Sequence, residues 1–387
     1  MSEHSGDETF LRRALELARQ GVGLASPGPC VGAVIGDAQG AIVGTGTYSY
    51  AGVKHAEIQA LEQAGTKARG GTLYINLEPH AHQGRTLPCT DALIAAGIQR
   101  VVASMADPNP LVSGRGFEVL RAAGIHVEVG RLQDAARRIN EAFARYIRHR
   151  VPLVTLKSAM TLDGKIAPSA AGNTKRSEGV PPGGWISGEV SRAYVHEQRH
   201  ASDAILVGVG TIIADDPLLT DRSGKARRRP LLRVVLDSHL RLPLQSRLVH
   251  SLEKQRDAND VLVFHSSGDE EKASELRRCG LRVERVPSDG DGRPHLEGVL
   301  RRLGELEITS LMIEGGSTVN GTALASGLVD KVFLYYAPKI AGANSIPFVT
   351  EATSRQFGDA IRVKHLQLHH FGDDIAVEGY LRDPYDE

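Results

Sequence analysis

His55, Glu57, His80 and Cys89 are residue types that hold and use a divalent metal. His55-Ala56-Glu57 begins a stretch of helical periodicity. Cys89 begins another, after the segment Glu78-Pro79-His80-Ala81-His82. Ligands at two helix starts can converge on one ion, with a neighbouring carboxyl group to move protons. Zinc held this way makes water acidic enough to attack an amidine carbon. Glu57 would take the water's proton and deliver it to the ring nitrogen and the departing ammonia. The chemistry expected is hydrolytic deamination with His55, His80 and Cys89 as ligands. His82 stands close enough to compete as a ligand or to orient one from behind. Cys30, flanked by Pro29 and Val31, reads as a core cysteine.

Different chemistry is written further along. From Ala201 to Arg222, a buried run (AILVGVG) ends in glycines, Thr211 follows, and Asp215-Asp216 precedes a proline. A strand tip bare of side chains admits the close approach of a nucleotide, and Arg222 can meet a substrate phosphate bidentately. Residues Leu311 to Leu324 place Gly-Gly-Ser-Thr between a strand and a helix, where backbone N–H groups favour anions. Trp185, the only tryptophan, precedes a helix carrying His196 and Arg199.

These residues need a scaffold, and the periodicity supplies one. Helical spacing runs over Thr9–Gln20, His55–Ala68, Thr90–Ala96 and Phe117–Ala123. Strand-like runs occupy Cys30–Ile35, Ala41–Gly44, Thr72–Leu77, Arg100–Ser104 and Ile125–Val129. Strands alternating with helices predict an α/β layered domain. A charged helix, Leu132–His149, ends at Val151-Pro152, and the domain boundary is placed there, giving 1–150 and 151–387. The second part opens with Leu153–Lys157. It continues with Ala204–Val209, Leu232–Asp237, Asp260–Phe264, Ser310–Glu314 and Lys331–Ala337, the pattern of a mostly parallel sheet covered by helices. The basic run Lys225–Arg229 reads as a solvated loop.

Composition narrows the class. A chain of 387 residues favours two or three domains, and 41% hydrophobic residues are enough to give each a core. Lys+Arg and Asp+Glu both number 46, which leaves no long-range field for a nucleic-acid backbone. Three cysteines form no disulfide framework and suit a reducing cytoplasm. No apolar stretch nears the roughly 20 residues that span a bilayer, and the first residues lack a secretory pattern. The expectation is a cytoplasmic protein that binds neither membrane nor nucleic acid.

The ordered set HAEIQAL, LEPHAHQGRTLPC, ALIAAGIQRVV and DPNPLVSGRG, followed by LKSAMTLDGKIA, ASDAILVGVGTIIADDPLLTDR, LMIEGGSTVNGTAL and APKIAGA, resembles the bifunctional riboflavin-biosynthesis deaminase/reductase family over nearly the whole chain. The resemblance implies a cytidine-deaminase-like three-layer domain followed by a dihydrofolate-reductase-like domain. It implies one zinc ion and NADPH, a small phosphorylated pyrimidine as substrate, and a homo-oligomer. Deamination of a diaminopyrimidine bearing a phosphoribosylamino group would be followed by reduction of its ribosyl unit to ribityl.

By position, the resemblance puts His82 and Arg85 on the pyrimidine. It puts Ala159, Trp185, Thr211, Asp215, Ser238 and the turn Gly316, Ser317, Thr318, Val319, Asn320, Gly321 and Thr322 on the cofactor. Arg199, Leu219, Arg222 and Glu314 would line the reductase substrate, and Lys157 would approach it. Three positions depart from the family: His80 stands for a cysteine, Gly28 for an asparagine that contacts the pyrimidine, and Gly183 for a serine, within a longer linker 172–184. Imidazole in place of thiolate adds positive charge at the metal, which favours acidic water. Retention of Glu57 favours an active deaminase. Two other readings stay open: a reductase with an inactive deaminase-like scaffold, and a nucleoside or base deaminase fused to an unrelated domain.

Overall fold

The computed structural model describes residues 3–82, 87–168, 184–252, 259–350 and 356–386. The chain divides into two compact units. One contains Met1–Arg150 and also takes in Ala226–Arg229; the other contains Val151–Lys225 and Pro230–Asp386.

The first unit runs α1 (Glu3–Arg19), β1 (Gly32–Gly36), β2 (Ile42–Thr47), α2 (Ala56–Ala64), β3 (Thr72–Ile75), α3 (Cys89–Ala96), β4 (Arg100–Ala103), α4 (Arg115–Ala122), β5 (His126–Val129) and α5 (Gln133–His149). Its sheet has the order β2-β1-β3-β4-β5. β1 is antiparallel to both β2 and β3, whereas β3, β4 and β5 are parallel. Leu11, Ala14 and Leu17 of α1 pack on Val34, Tyr74 and Val102. Gly32 lies on that face: a Cβ there would stand 2.1 Å from the Ala14 carbonyl oxygen. Ala33 pairs with Gly46 and Ile35 with Gly44, so these point to the opposite face. A Cβ at Gly44 or Gly46 would stand 2.0 Å from the carbonyl oxygen of Ala60 or Ala56 in α2. Glycine therefore brings one helix directly onto each face, and three layers result.

The second unit runs β6 (Leu153–Thr161), β7 (Lys165–Ala167), α6 (Glu189–Ala201), β8 (Ala204–Gly208), α7 (Val209–Asp215), β9 (Leu232–Leu236), α8 (Arg247–His250), β10 (Val261–His265), α9 (Glu270–Arg278) and β11 (Arg282–Arg285). It closes with α10 (Leu296–Glu305), β12 (Ser310–Ile313), α11 (Ser317–Ala325), β13 (Lys331–Ala337), β14 (Ile346–Pro347), β15 (Lys364–Phe371) and β16 (Asp374–Tyr380). The nine-stranded order is β11-β10-β9-β8-β12-β6-β13-β16-β15. All neighbours from β11 to β13 are parallel, and β16 and β15 close it antiparallel. Alternate residues feed separate cores. Ala204, Leu206 and Val234 join the α10 residues Val299, Leu300 and Leu303, whereas Ile205, Val207 and Val235 join Ile212, Leu248 and Leu276. A parallel sheet covered on both faces buries both sets, so its strands read as near-continuous apolar runs.

Candidate active sites

His55 is the extended residue just before α2, with φ −66° and ψ 157°. The glycines of β2 let that helix lie flat, which places Glu57 of its first turn in the interior. Two residues upstream of His80, the buried carboxylate of Glu78 accepts three backbone N–H groups, from Asp107 (2.9 Å), Gly114 (2.9 Å) and Gly116 (2.8 Å). That one side chain fastens the segment carrying His80 to the loop 107–116. The N–H of Thr90 donates to the His80 carbonyl at 3.3 Å, tying in the start of α3, where Cys89 stands.

The outcome is a single cluster. Ligand atoms of His55, Glu57, His80 and Cys89 all lie within 4.8 Å of one another. Cys89 Sγ is 3.4 Å from His55 Nδ1, and the His55 and His80 ring centroids are 4.4 Å apart. Two imidazoles, a thiol and an adjacent carboxyl group suit zinc chemically. Burial pushes the Cys89 thiol well up, and the Glu57 charge adds to this. A bound cation favours the thiolate and offsets that cost. Burial also raises the Glu57 carboxyl, against its own backbone N–H and the Cys89 thiol.

Other residues expected at this site fall differently. His82 is exposed and outside the cluster, its ring edge-on to His80 at 5.4 Å. Arg85 lies outside the described residues, as does Gly183 of the linker. Cys30 also stays outside the cluster and is half-buried; its carbonyl accepts from Asn76 and Asn140. At Gly28 a Cβ would stand 2.9 Å from Cε1 and 3.3 Å from the hydroxyl of Tyr48. The Tyr48 ring in turn stands edge-on to His55 at 5.4 Å. Tyr48 carries no motif, and sequence reasoning passed over it. Burial lifts the Asp107 carboxyl to about 6, with the Asn109 N–H opposing and Glu78 reinforcing.

The basic run is not simply solvated. Within the first unit, the Arg228 guanidinium lies 3.7 Å from the centroid of the Tyr50 ring and donates to the Ser26 carbonyl at 2.7 Å.

In the second unit a cavity of about 1530 Å³ opens along the carboxyl ends of β6, β12, β8 and β9. Ala159, Trp185, Thr211, Asp215 and Ser238 line it, as do Gly316, Ser317, Thr318, Val319 and Thr322. Asn320 and Gly321 do not: both are buried on the inner face of α11, and Asn320 Nδ2 donates to the Phe348 carbonyl at 3.0 Å. Six consecutive helical residues cannot all face one side. Trp185 is 44% exposed, so it lines the cavity and does not plug the core, and Arg192 lies over its ring at 4.8 Å.

Arg199, Leu219, Arg222, Glu314 and Lys157 also line this space. Arg199 and Glu314 are partners, with Nε–Oε1 at 2.7 Å and Nη2–Oε2 at 3.0 Å, and Lys157 joins at 3.3 Å. Burial opposes the Glu314 charge, but Arg199 and Lys157 outweigh it and hold the carboxyl at about 2. The trio retains one net positive charge. Among the described residues the Arg222 guanidinium makes no ion pair or hydrogen bond. Asp163 accepts from the N–H groups of Ala341 (3.0 Å) and Gly342 (2.8 Å), which ties the Asp163-Gly164 turn to the APKIAGA segment.

Residues 4–105 match the cytidine and deoxycytidylate deaminase zinc-binding region, and residues 152–377 match the RibD C-terminal domain. This chain belongs to the RibD family. It is 39% identical to the riboflavin biosynthesis protein RibD of Aquifex aeolicus, covering 96% of this chain and 97% of that protein. It is 36% identical to RibD of Escherichia coli, covering 96% and 98%. The solved Acinetobacter baumannii RibD superimposes with a TM-score of 0.82 at 34% identity, covering 98% of this chain and 99% of that one. The Thermotoga maritima diaminohydroxyphosphoribosylaminopyrimidine deaminase/5-amino-6-(5-phosphoribosylamino)uracil reductase gives 0.80 at 36%, covering 97% and 99%. The fold is accordingly cytidine-deaminase-like in the first unit and dihydrofolate-reductase-like in the second. As a RibD protein, the chain joins a zinc-binding deaminase domain to an NADPH-dependent reductase domain in riboflavin biosynthesis. Among the described residues no helix is long and apolar enough to cross a membrane.

Proposed function

We propose that the chain first deaminates diaminohydroxyphosphoribosylaminopyrimidine and then reduces the ribosyl group of the product to ribityl. The observation that carries this reading is the convergence of His55, His80 and Cys89 on one point with Glu57 among them. Zinc, when held there, supplies the Lewis acidity that makes hydroxide available near neutral pH. Glu57 accepts the proton of the attacking water and passes it to the ring nitrogen and the leaving amine, which departs as ammonia. Its burial suits a carboxyl group that must both take and give a proton. His82 and Arg85 orient the pyrimidine.

In the reductase, NADPH would supply the hydride that reduces the ribosyl carbon, opened as an imine, with the proton for the imine nitrogen drawn from solvent. Arg222 holds the substrate phosphate, and Leu219 lines the same cavity. The Glu314–Arg199–Lys157 trio presents fixed donors to the sugar. Ala159, Trp185, Thr211, Asp215, Ser238 and the start of α11 hold the cofactor. The backbone N–H groups at Gly316 and Ser317, opening a nine-residue helix, suit its pyrophosphate. The reading includes a cytoplasmic homo-oligomer; at the sheet edge, β15 exposes Leu366 (60%) and Leu368 (67%). Light scattering on the purified chain checks the assembly.

Zinc content, ammonia release and NADPH oxidation measured on the full chain test the whole reading. One zinc per chain with both activities is expected. No zinc and no ammonia, with NADPH oxidation intact, would leave a reductase on an inactive scaffold. Arg222→Ala should raise KM for the phosphorylated substrate about tenfold or more, with little change in KM for NADPH. Equal losses would contradict the phosphate role.

A further inference from the structure

Three guanidinium groups in the reductase cavity have no role assigned above. Arg241 follows the carboxyl end of β9 by one turn, Arg247 opens α8, and Arg293 precedes α10. Among the described residues the guanidinium groups of Arg241 and Arg247 meet neither a carboxylate nor a carbonyl. Arg199, in the same cavity, is committed to Glu314. Arg293 Nη1 lies 3.4 Å from Thr322 Oγ1, on the face of α11 that lines the cavity, and 3.7 Å from the exposed Asp291 carboxylate, so it is the most compensated of the three. The nearby acid Asp216 accepts the backbone N–H of Arg247 at 2.8 Å, so one of its oxygens is turned to the main chain. This end of the cavity is built for a ligand that brings its own negative charge.

Sheet order says which part of a ligand arrives there. Of the substrate-side trio, Lys157 stands on β6 and Glu314 just after β12, with Arg199 reaching them from α6; Arg241 and Arg247 lie in the segment that follows β9. Three strand spacings separate β6 from β9, roughly 14 Å. The N-terminus of α11, where a pyrophosphate would sit, leaves the sheet between them, at β12. A dinucleotide laid along this edge with its nicotinamide toward β6 puts its adenosine at β9.

We propose that Arg241 and Arg247, with Arg293 beside them, form the subsite for the 2′-phosphate of NADPH and set the preference for NADPH over NADH. This rests on the cofactor orientation just given. The pyrophosphate does not need these side chains, because peptide N–H groups serve it. A phosphate monoester is the shared chemistry of two ligands here, the cofactor's 2′-phosphate and the substrate's 5′-phosphate, and Arg222 already answers the second.

The test is calorimetric titration of the full chain with NADP+, NAD+ and ribose 5-phosphate, repeated on the Arg241→Ala/Arg247→Ala double variant. NADP+ affinity should fall about 100-fold, roughly tenfold per charge-assisted contact, with NAD+ affinity held within about twofold. Retained NAD+ binding shows that the variant is folded; Arg241→Lys should recover part of the loss. Equal weakening of NADP+ and NAD+, or no weakening of either, overturns the subsite. A loss confined to ribose 5-phosphate also overturns it and assigns the arginines to substrate. An unaltered chain that binds neither dinucleotide loses the reductase reading together with this one.

Discussion

At the scale of single residues, a tyrosine occupies the space that a side chain at position 28 would need. Gly28, which the resemblance sets opposite a family asparagine, has Tyr48 beside it. Placing asparagine there should therefore harm the enzyme. Gly28→Asn forces a Cβ to within 2.9 Å of the Tyr48 ring, and that ring rests against His55. Ammonia release is expected to fall, with NADPH oxidation unchanged; a gain in kcat/KM would show that Tyr48 yields freely. Glu57→Gln isolates the proton transfer itself. It should cut ammonia release by about 100-fold or more while zinc stays bound. Zinc loss in that variant would instead make Glu57 a ligand, which its place within the cluster permits geometrically. The metal set was legible because both pieces sit in short motifs at helix starts. Tyr48, Arg241, Arg247 and Arg293 were not, since none sits in a motif and each acquires meaning only from the fold around it. The Arg199–Glu314 pair, 115 residues apart, was hidden for the same reason: both were read separately as substrate contacts.

At the scale of elements, helix α2 reaches the zinc ligands because β2 is nearly bare. Gly46→Ala would drive a methyl group to about 2.0 Å from the Ala56 carbonyl oxygen, next to His55. The helix must lift. A destabilisation of roughly 1–3 kcal/mol is expected, and zinc stoichiometry should drop with it. Full zinc occupancy in Gly46→Ala would mean that the site tolerates movement of its helix. Strand positions were readable from apolar runs, since a sheet covered on both faces leaves polar residues few places in its interior. Boundaries were less so: α1 begins at Glu3, before its apolar stripe starts at Phe10. The block Gly316–Thr322 was read as one continuous cofactor wall, but helical geometry turns Asn320 and Gly321 inward.

At the scale of the whole molecule, each unit relies on a carboxylate held ionised by arginine. In the first, hydrogen bonds from Arg100 lower the Asp7 carboxyl against the cost of burial. In the second, Glu314 is held at about 2 against its ordinary 4.5. A depressed carboxyl stabilises the fold fully above its unfolded value and loses that contribution as pH falls toward the folded one. The second unit should thus lose on the order of 2–3 kcal/mol between about pH 4.5 and pH 2. Scanning calorimetry across that range, on the unaltered chain and on Glu314→Gln, checks it. The variant should be less stable at pH 7, because Arg199 and Lys157 lose their counter-charge, and its acid limb should be shallower. An identical acid limb in both would remove Glu314 from the account.

The Glu78 carboxylate binds three amides that the chain separates by up to nine positions, those of Asp107, Gly114 and Gly116. No one of them can be freed for long without the side chain that holds the other two. In deuterated water these three amides should share one protection factor, set by a single opening of the loop. Glu78→Gln should quicken all three together and leave the strand amides of β4 at their former pace.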